Sequence, residues 1–165
     1  MQECLRRSFI DSANRTWTIS LTIDAVKRVR DSSLGVNLLE LDVGDPPLFT
    51  RLGTNIILLC DVIYVLIKPQ ADAVGVTDEQ FGASLGGEVI FAAQKAFNEE
   101  LISFFQSLGR TDLAKALTAQ RNLIDRAVIR VGAEMESLNV DLLVDETFGK
   151  LSTSLPGRAE STQAL

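Results

Sequence analysis

Residues 56–67, Ile-Ile-Leu-Leu-Cys-Asp-Val-Ile-Tyr-Val-Leu-Ile, constrain this chain more than any other segment. Their apolar side chains cover most faces of a helix, so the run predicts a helix from about 54 to 67, buried on several sides. Burying each Leu or Ile is worth roughly 1.5–3 kcal/mol, which makes this segment the expected centre of the core. A bilayer span takes about 20 apolar residues, and this run is shorter, holds Asp61 and meets Lys68-Pro69. It therefore predicts a core helix, with no membrane partner. Pro69, which has no amide hydrogen, is expected to end it.

The flanking sequence supplies the cover. Phe9-Ile10 and the alternation Trp17, Ile19, Leu21 against Thr16, Thr18, Ser20 enclose the turn-rich Asp11-Ser12-Ala13-Asn14-Arg15, the pattern of a β-hairpin. A lone hairpin is marginal in water, so its apolar face must pack on helices. Thr22 is placed to cap a helix from 23 to about 30, with Asp24 at its positive end. A short apolar piece follows at 34–41, then a loop at Gly44-Asp45-Pro46-Pro47. Thr77-Asp78-Glu79-Gln80 has the form of a capping box, and the short helix it opens fades at Gly86-Gly87. A helix over 88–107 places Val89, Ala93, Phe97, Leu101, Phe104 and Leu108 on one stripe. After Gly109 a longer helix runs from about 111 towards 142. The expected fold class is mainly α with a small N-terminal β-hairpin (α+β). Its parts are a hairpin and helical core over 1–109, an amphipathic C-terminal helix over 110–144, and a disordered Ser/Thr/Gly/Pro-rich tail over 145–165.

The chemistry open to the chain is narrow. Among its 165 residues there is no histidine, which removes the usual general base at neutral pH and the commonest zinc ligand. Two cysteines, Cys4 and Cys60, lie far apart in sequence and read as reduced thiols of a cytoplasm. Met1-Gln2-Glu3 opens no apolar targeting segment, in keeping with that compartment. A formal charge of -6 repels phosphate backbones, so no nucleic acid is expected, and Arg6-Arg7 and Lys27-Arg28-Val29-Arg30 read as solvated faces beside acidic neighbours. Gly82-Ala83-Ser84-Leu85-Gly86 matches G-x-S-x-G, but a nucleophile elbow follows a strand and needs a later histidine. Here it reads as a small-residue helix break. The pairs Asp42/Asp45, Asp78/Glu79, Glu99/Glu100 and Asp145/Glu146 read as loop, helix-start or helix-face charges. Asp61 is the one candidate for a buried charge: it either lies at a helix edge and reaches water or pairs with Arg51 or Lys68 at neighbouring turns. No catalytic residue, metal site or cofactor is expected.

Apolar helix faces remain. Phe97, Leu101, Phe104, Phe105 and Leu108 cluster within a few turns and read first as core, and as a partner patch if part of it is exposed. Ile124, Val128, Val131, Met135, Leu138 and Leu142 follow a 4-3-4-3-4 spacing, a heptad seam of barely three repeats. Such a seam fits folding back on its own domain and pairing with another chain equally. The candidate partner-binding residues are thus Phe97, Leu101, Phe104, Phe105, Ile124, Val128, Val131, Met135 and Leu138.

Several segments resemble tail assembly chaperone-like proteins of long-tailed bacteriophages and prophages. They are Phe9-Ile10-Asp11-Ser12-Ala13-Asn14-Arg15-Thr16-Trp17, Ala25-Val26-Lys27-Arg28-Val29, Leu58-Leu59-Cys60-Asp61-Val62-Ile63-Tyr64, Lys68-Pro69-Gln70-Ala71-Asp72, Asp78-Glu79-Gln80-Phe81-Gly82 and Glu99-Glu100-Leu101-Ile102-Ser103-Phe104-Phe105. The similarity covers roughly the first two-thirds of the chain. It implies a protein that coats the long helical tape-measure protein in the host cytoplasm before tail-tube subunits polymerise around it. It also implies self-association, and often a second, longer form made by frameshifting. On that reading the partners are the tape-measure protein and the tail-tube subunit, with a homo-oligomer as the working state. Two other classes stand beside it: a structural component of a virion or bacterial assembly built through the heptad seam, and a small carboxylate-based enzyme.

Overall fold

The computed structural model describes residues 7–137, apart from the side chains of 124, 127, 128, 131, 132 and 134–137. It is mainly helical with one antiparallel hairpin, β1 (Arg7–Ile10) and β2 (Thr16–Ile19), followed by α1 (Ile23–Asp31), α2 (Leu48–Thr54), α3 (Ile56–Val74), α4 (Asp78–Ala83), α5 (Glu88–Ser107) and α6 (Thr111–Ser137). The chain divides into two compact units, 1–121 and 122–165. The first runs past the expected break at 109 because Leu113, Ala114 and Leu117, in the opening turns of α6, are buried in its core. Cys4, the last part of the helix expected to reach 142 and the expected tail at 145–165 lie outside the described residues.

The hairpin pairs Phe9 with Trp17 and Ser8 with Thr18. Its turn is closed by the Asp11 amide to the Arg15 carbonyl (2.9 Å) and the Asn14 amide to the Asp11 carbonyl (2.9 Å). Asn14 sits at φ 62, a left-handed conformation that Asn tolerates better than most residues. Phe9, Trp17 and Ile19 are buried, with β1 packed on α5 and β2 on α3. Thr22 caps α1 by accepting from the Ala25 amide at 3.2 Å. Arg28 pairs with Asp24 and also donates to the Leu66 carbonyl at 3.3 Å, tying α1 to α3, while Arg30 pairs with Asp31. These two cations of the basic cluster therefore have acidic partners in their own helix.

Residues 34–41 form no helix or strand; Val36, Leu38 and Leu41 are buried from turns. Helix α2, directly after Pro46-Pro47, had no counterpart in the sequence reading. Seven residues holding one Gly and two Thr give a weak helical signal, and only Leu48 and Leu52, one turn apart and both buried, mark it. At Gly53 an added Cβ would stand 3.1 Å from Nε2 of the Gln120 side chain, which reaches from α6 to α2.

The central helix is longer than expected. Asn55 caps α3 through the Leu58 amide (3.1 Å), and the helix passes through Pro69 to end at Gly75, φ 69. The proline removes an amide donor but does not stop the helix, because tertiary contacts hold the turn beyond it. Ala71 is fully buried, and the Val76 amide closes the helix end on the Ala71 carbonyl at 2.9 Å. Gln70 then caps the free edge of β2: its Nε2 donates to the Thr18 carbonyl (2.7 Å) and its Oε1 accepts from the Thr18 amide (3.0 Å). One side-chain amide thus stands in for a third strand. Gln70→Ala is expected to cost about 1–3 kcal/mol, since it strands one donor and one acceptor. Amide hydrogen exchange at Thr18 should quicken selectively; unchanged protection there would contradict this role.

No described helix is by itself long and apolar enough to cross a membrane. Helices α2 and α3 together reach that length and composition, but they are bent by 105°.

Candidate functional site

Among the described residues the buried charge is Asp11, whereas Asp61 is half-buried. Asp11 is 4% exposed and lies where the hairpin turn meets the end of α4. Its Oδ1 accepts from the Ala13 amide (3.0 Å) and the Arg15 amide (2.9 Å). Its Oδ2 accepts from Arg15 Nε (2.8 Å) and Trp17 Nε1 (2.8 Å), and Ser84 Oγ lies 3.2 Å away. The Ser84 hydroxyl has one proton and a shorter partner in the Phe81 carbonyl, 2.7 Å, which takes the larger share of it. A further bond runs from the Ser12 amide to the Ser84 carbonyl (3.1 Å). Arg15 also stacks over the Trp17 ring at 5.6 Å. Burial alone would push the Asp11 carboxyl up. The Arg15 amide, the Trp17 indole and the Arg15 guanidinium outweigh it and hold the carboxyl below its usual value.

This constellation ties hairpin to helix. Every strong donor around Asp11 is already spent on it, and Ser84, the central residue of Gly82-Ala83-Ser84-Leu85-Gly86, is buried at the end of a helix with its hydroxyl engaged. The sequence signal for Asp11 was present in outline: an Asp at the first position of a turn whose third residue is Ala13 and whose fifth is Arg15. Asp is favoured there because its carboxylate reaches amides two residues on. What the sequence does not show is that Trp17 and Ser84 converge on the same oxygen.

Around the same end of the molecule, Phe81 lies at the centre of an aromatic group. Its ring is 6.5 Å from Phe9, 5.8 Å from Trp17 at an interplanar angle of 88°, and 5.5 Å from Tyr64. Thr77 and Gln80 form the expected capping box that starts α4, and the Tyr64 hydroxyl donates to the Val76 carbonyl at 3.1 Å.

Asp61 is half-buried on α3, at an edge that reaches solvent, and among the described residues it pairs with neither Arg51 nor Lys68; Lys68 pairs with Asp72. Partial burial and the like charge of Asp78 raise its pKa. Burial, and after it Asp61, likewise push the neighbouring Cys60 thiol up, and Cys60 is unpaired. Asp78 and Glu79 occupy the first turn of α4. Glu99 faces Arg121 at 3.8 Å, and Glu100 accepts the Leu21 amide at 2.9 Å, fixing the end of β2 to α5. Asp42 and Asp45 are exposed loop residues, and Asp145 and Glu146 lie outside the described residues. Among the described residues no group of three or more His, Cys, Asp or Glu side chains is placed to hold a metal ion.

The candidate partner residues separate into two sets. Phe97, Leu101, Phe104 and Phe105 are buried inside the first unit, so the core uses them and they present no free patch. The physical reason is that α5 is covered by β1, α3 and β2 along that stripe. Ile124, Val128, Val131 and Met135 lie on α6, but their side chains, like the whole of Leu138, fall outside the described residues. Leu108, the last member of the Phe97 cluster, is 45% exposed, and among the other apolar side chains that meet solvent are Ile56 and Ile57 at the start of α3, with Ile57 75% exposed, and Phe91 on α5 at 66%. Ile56 and Ile57 belong to the run expected to be buried on several sides, and Phe91 lies off the stripe that holds Phe97 and Leu101. No family model, curated protein or solved structure matches the chain.

Proposed function

We propose that this chain is a non-catalytic protein-binding factor of the tail-assembly chaperone kind, which shields a tape-measure protein in the bacterial cytoplasm during tail morphogenesis. The observation that carries the reading is the sequence similarity through 9–17, 25–29, 58–64, 68–72, 78–82 and 99–105. Two further facts support it. The chain has no histidine, and Ile56 and Ile57 offer apolar surface at the exposed start of α3. A long amphipathic helix is the partner such surface suits.

The test is co-expression with a phage tape-measure protein. The expected result is a co-purifying complex and a tape-measure protein kept soluble by it. Ile57→Asp should weaken capture while leaving the melting temperature unchanged, because this side chain contributes little to the core. A tape-measure protein that is equally soluble alone, with no complex recovered, would rule the reading out.

A second reading, a structural component of a virion or bacterial assembly, is favoured by α6, a single helix of 27 residues that extends beyond the last residue of the first unit, Arg121. Recovery of the chain from purified mature particles would replace the chaperone reading with this one.

A further inference from the structure

From the outward side of α3 we infer a specificity device: Asp61 reads an arginine on the helix that this face binds, one turn from the apolar residue that covers Ile57. The inference rests on the reading of this chain as a helix-binding factor and adds what the bound helix must carry. Asp61 is the one charged residue between 56 and 67. It lies four positions after Ile57, hence on the same face of α3 and about 6 Å further along it. The chain bends by 105° between α2 and α3, and Ile57, just past that corner, is 75% exposed. Leu58, Tyr64 and Val65, three or four positions from Asp61, are partly buried against the core. The carboxylate therefore stands in apolar surroundings with one side open to water.

The charge selects the occupant. Asp11, Asp24, Asp31, Asp72 and Asp112 each have a basic partner, whereas Asp61 has none among the described residues. Lys68, two turns further on, is held by Asp72 and lies over the Tyr64 ring. Partial burial, and after it the like charge of Asp78 at the start of α4, make the ionised form of Asp61 unfavourable in the free protein. A cation brought to the carboxylate offsets both effects. Anions are repelled by Asp61, Asp78 and the net charge of -6, and among the described residues no third ligand stands ready for a metal ion. What fits is a cation delivered together with apolar surface that covers Ile57. A guanidinium meets both carboxylate oxygens through paired N–H donors and gives up less hydration than an ammonium. A helix presenting an arginine and a large apolar residue three or four positions apart matches the spacing of Asp61 and Ile57. The same pair discriminates against helices that place an acid there.

The probe is a fluorescein-labelled designed helix of about 18 residues, with a leucine stripe and one arginine four positions from a leucine. Two twins carry glutamine or glutamate in place of the arginine. Anisotropy titrations with the full chain should rank arginine above glutamine above glutamate, with the glutamate twin weaker than the arginine peptide by about tenfold or more. Asp61→Asn should remove most of that difference, Asp61→Arg should reverse the order, and Ile57→Gln should weaken all three. Asp42→Asn, which removes an exposed loop carboxylate and the same net charge, should leave the ranking intact. Asp61→Asn should also melt no lower than the wild type, because it removes a charge that the free fold does not pair. Equal affinities for the three peptides, no binding of any, a ranking untouched by Asp61→Asn, or a lower melting temperature for that variant would each overturn the inference. So would sedimentation showing that Asp61 instead mediates pairing with a second copy. If the tape-measure protein is captured while the peptides bind alike, this inference falls and the chaperone reading stands; a charge-ranked series without a tape-measure complex has the opposite meaning.

Discussion

Asp11→Ala is expected to destabilise the protein by about 3–5 kcal/mol, the cost of removing one partner from a buried charged pair. The substitution leaves the Arg15 guanidinium, the Trp17 indole and two backbone amides without their acceptor. For a chain of this length that corresponds to a melting temperature lowered by roughly 6–20 °C. Asp11→Asn should also be costly, because an amide must turn its NH2 towards either the two backbone donors or the Arg15 and Trp17 donors. The two variants separate packing from charge through their pH dependence. Asp11 titrates below its usual value in the folded state. Its contribution is therefore fully present above the unfolded-state pKa, about 3.9, and is lost as pH falls through the lower folded-state value. Acid unfolding of the wild type should show this loss, and Asp11→Asn should lack that part of it. Identical acid limbs for the two proteins would mean that Asp11 is not the ionised anchor its geometry describes.

Phe81→Ala should cost about 3–5 kcal/mol, because it removes the ring on which Phe9, Trp17 and Tyr64 converge. The chain has a single tryptophan, Trp17, set edge-on to Phe81, so its fluorescence reports the site directly. Equilibrium unfolding followed by Trp17 emission should show a lower midpoint and an altered native baseline. Phe81→Leu, which keeps more of the volume, should lose less. If Phe81→Ala unfolded at the wild-type midpoint, the aromatic group would be incidental to the stability of this unit. Both predictions concern the same junction, where the hairpin turn meets the end of α4. Their coupling can be measured: the two side chains share Trp17 as a neighbour, so the double variant should lose less than the sum of the singles.

The legible parts of this fold were those written in local pattern. The alternation around Trp17 gave the hairpin, Thr22 and Thr77 gave two helix starts, and the stripe through Ala93, Phe97 and Leu101 gave α5 and its buried face. Residues 56–67 gave the central helix because nearly every face of it is apolar. Where local pattern misleads, a distant residue overrules it. Pro69 carries a true helix-stop signal, yet the helix continues because Gln70 is bound to Thr18, 52 residues away, and Ala71 is buried. The loop over 32–47 has no period at all; Val36, Leu38 and Leu41 are core residues only because the surrounding helices close over them.

The candidate sites divide in the same way. An Asp at the head of a turn is a local preference, but which of the Asp residues becomes the buried anchor depends on Trp17 and Ser84 arriving at one carboxylate oxygen, and Ser84 is 73 residues from Asp11. Likewise, helical spacing marks the stripe through Phe97 as the buried face of α5 but does not show that Leu108, at its end, is left exposed or that Phe91, off the stripe, has nothing covering it among the described residues. By itself, then, the sequence determined the element types, most of their starts and the narrow range of chemistry open to a chain without imidazole, because these follow from short-range sterics, capping and residue identity. Only the tertiary structure decided which charge is buried, which proline is overridden and which phenylalanine meets water. Those outcomes depend on what packs against each residue from far along the chain, and local periodicity carries no record of that.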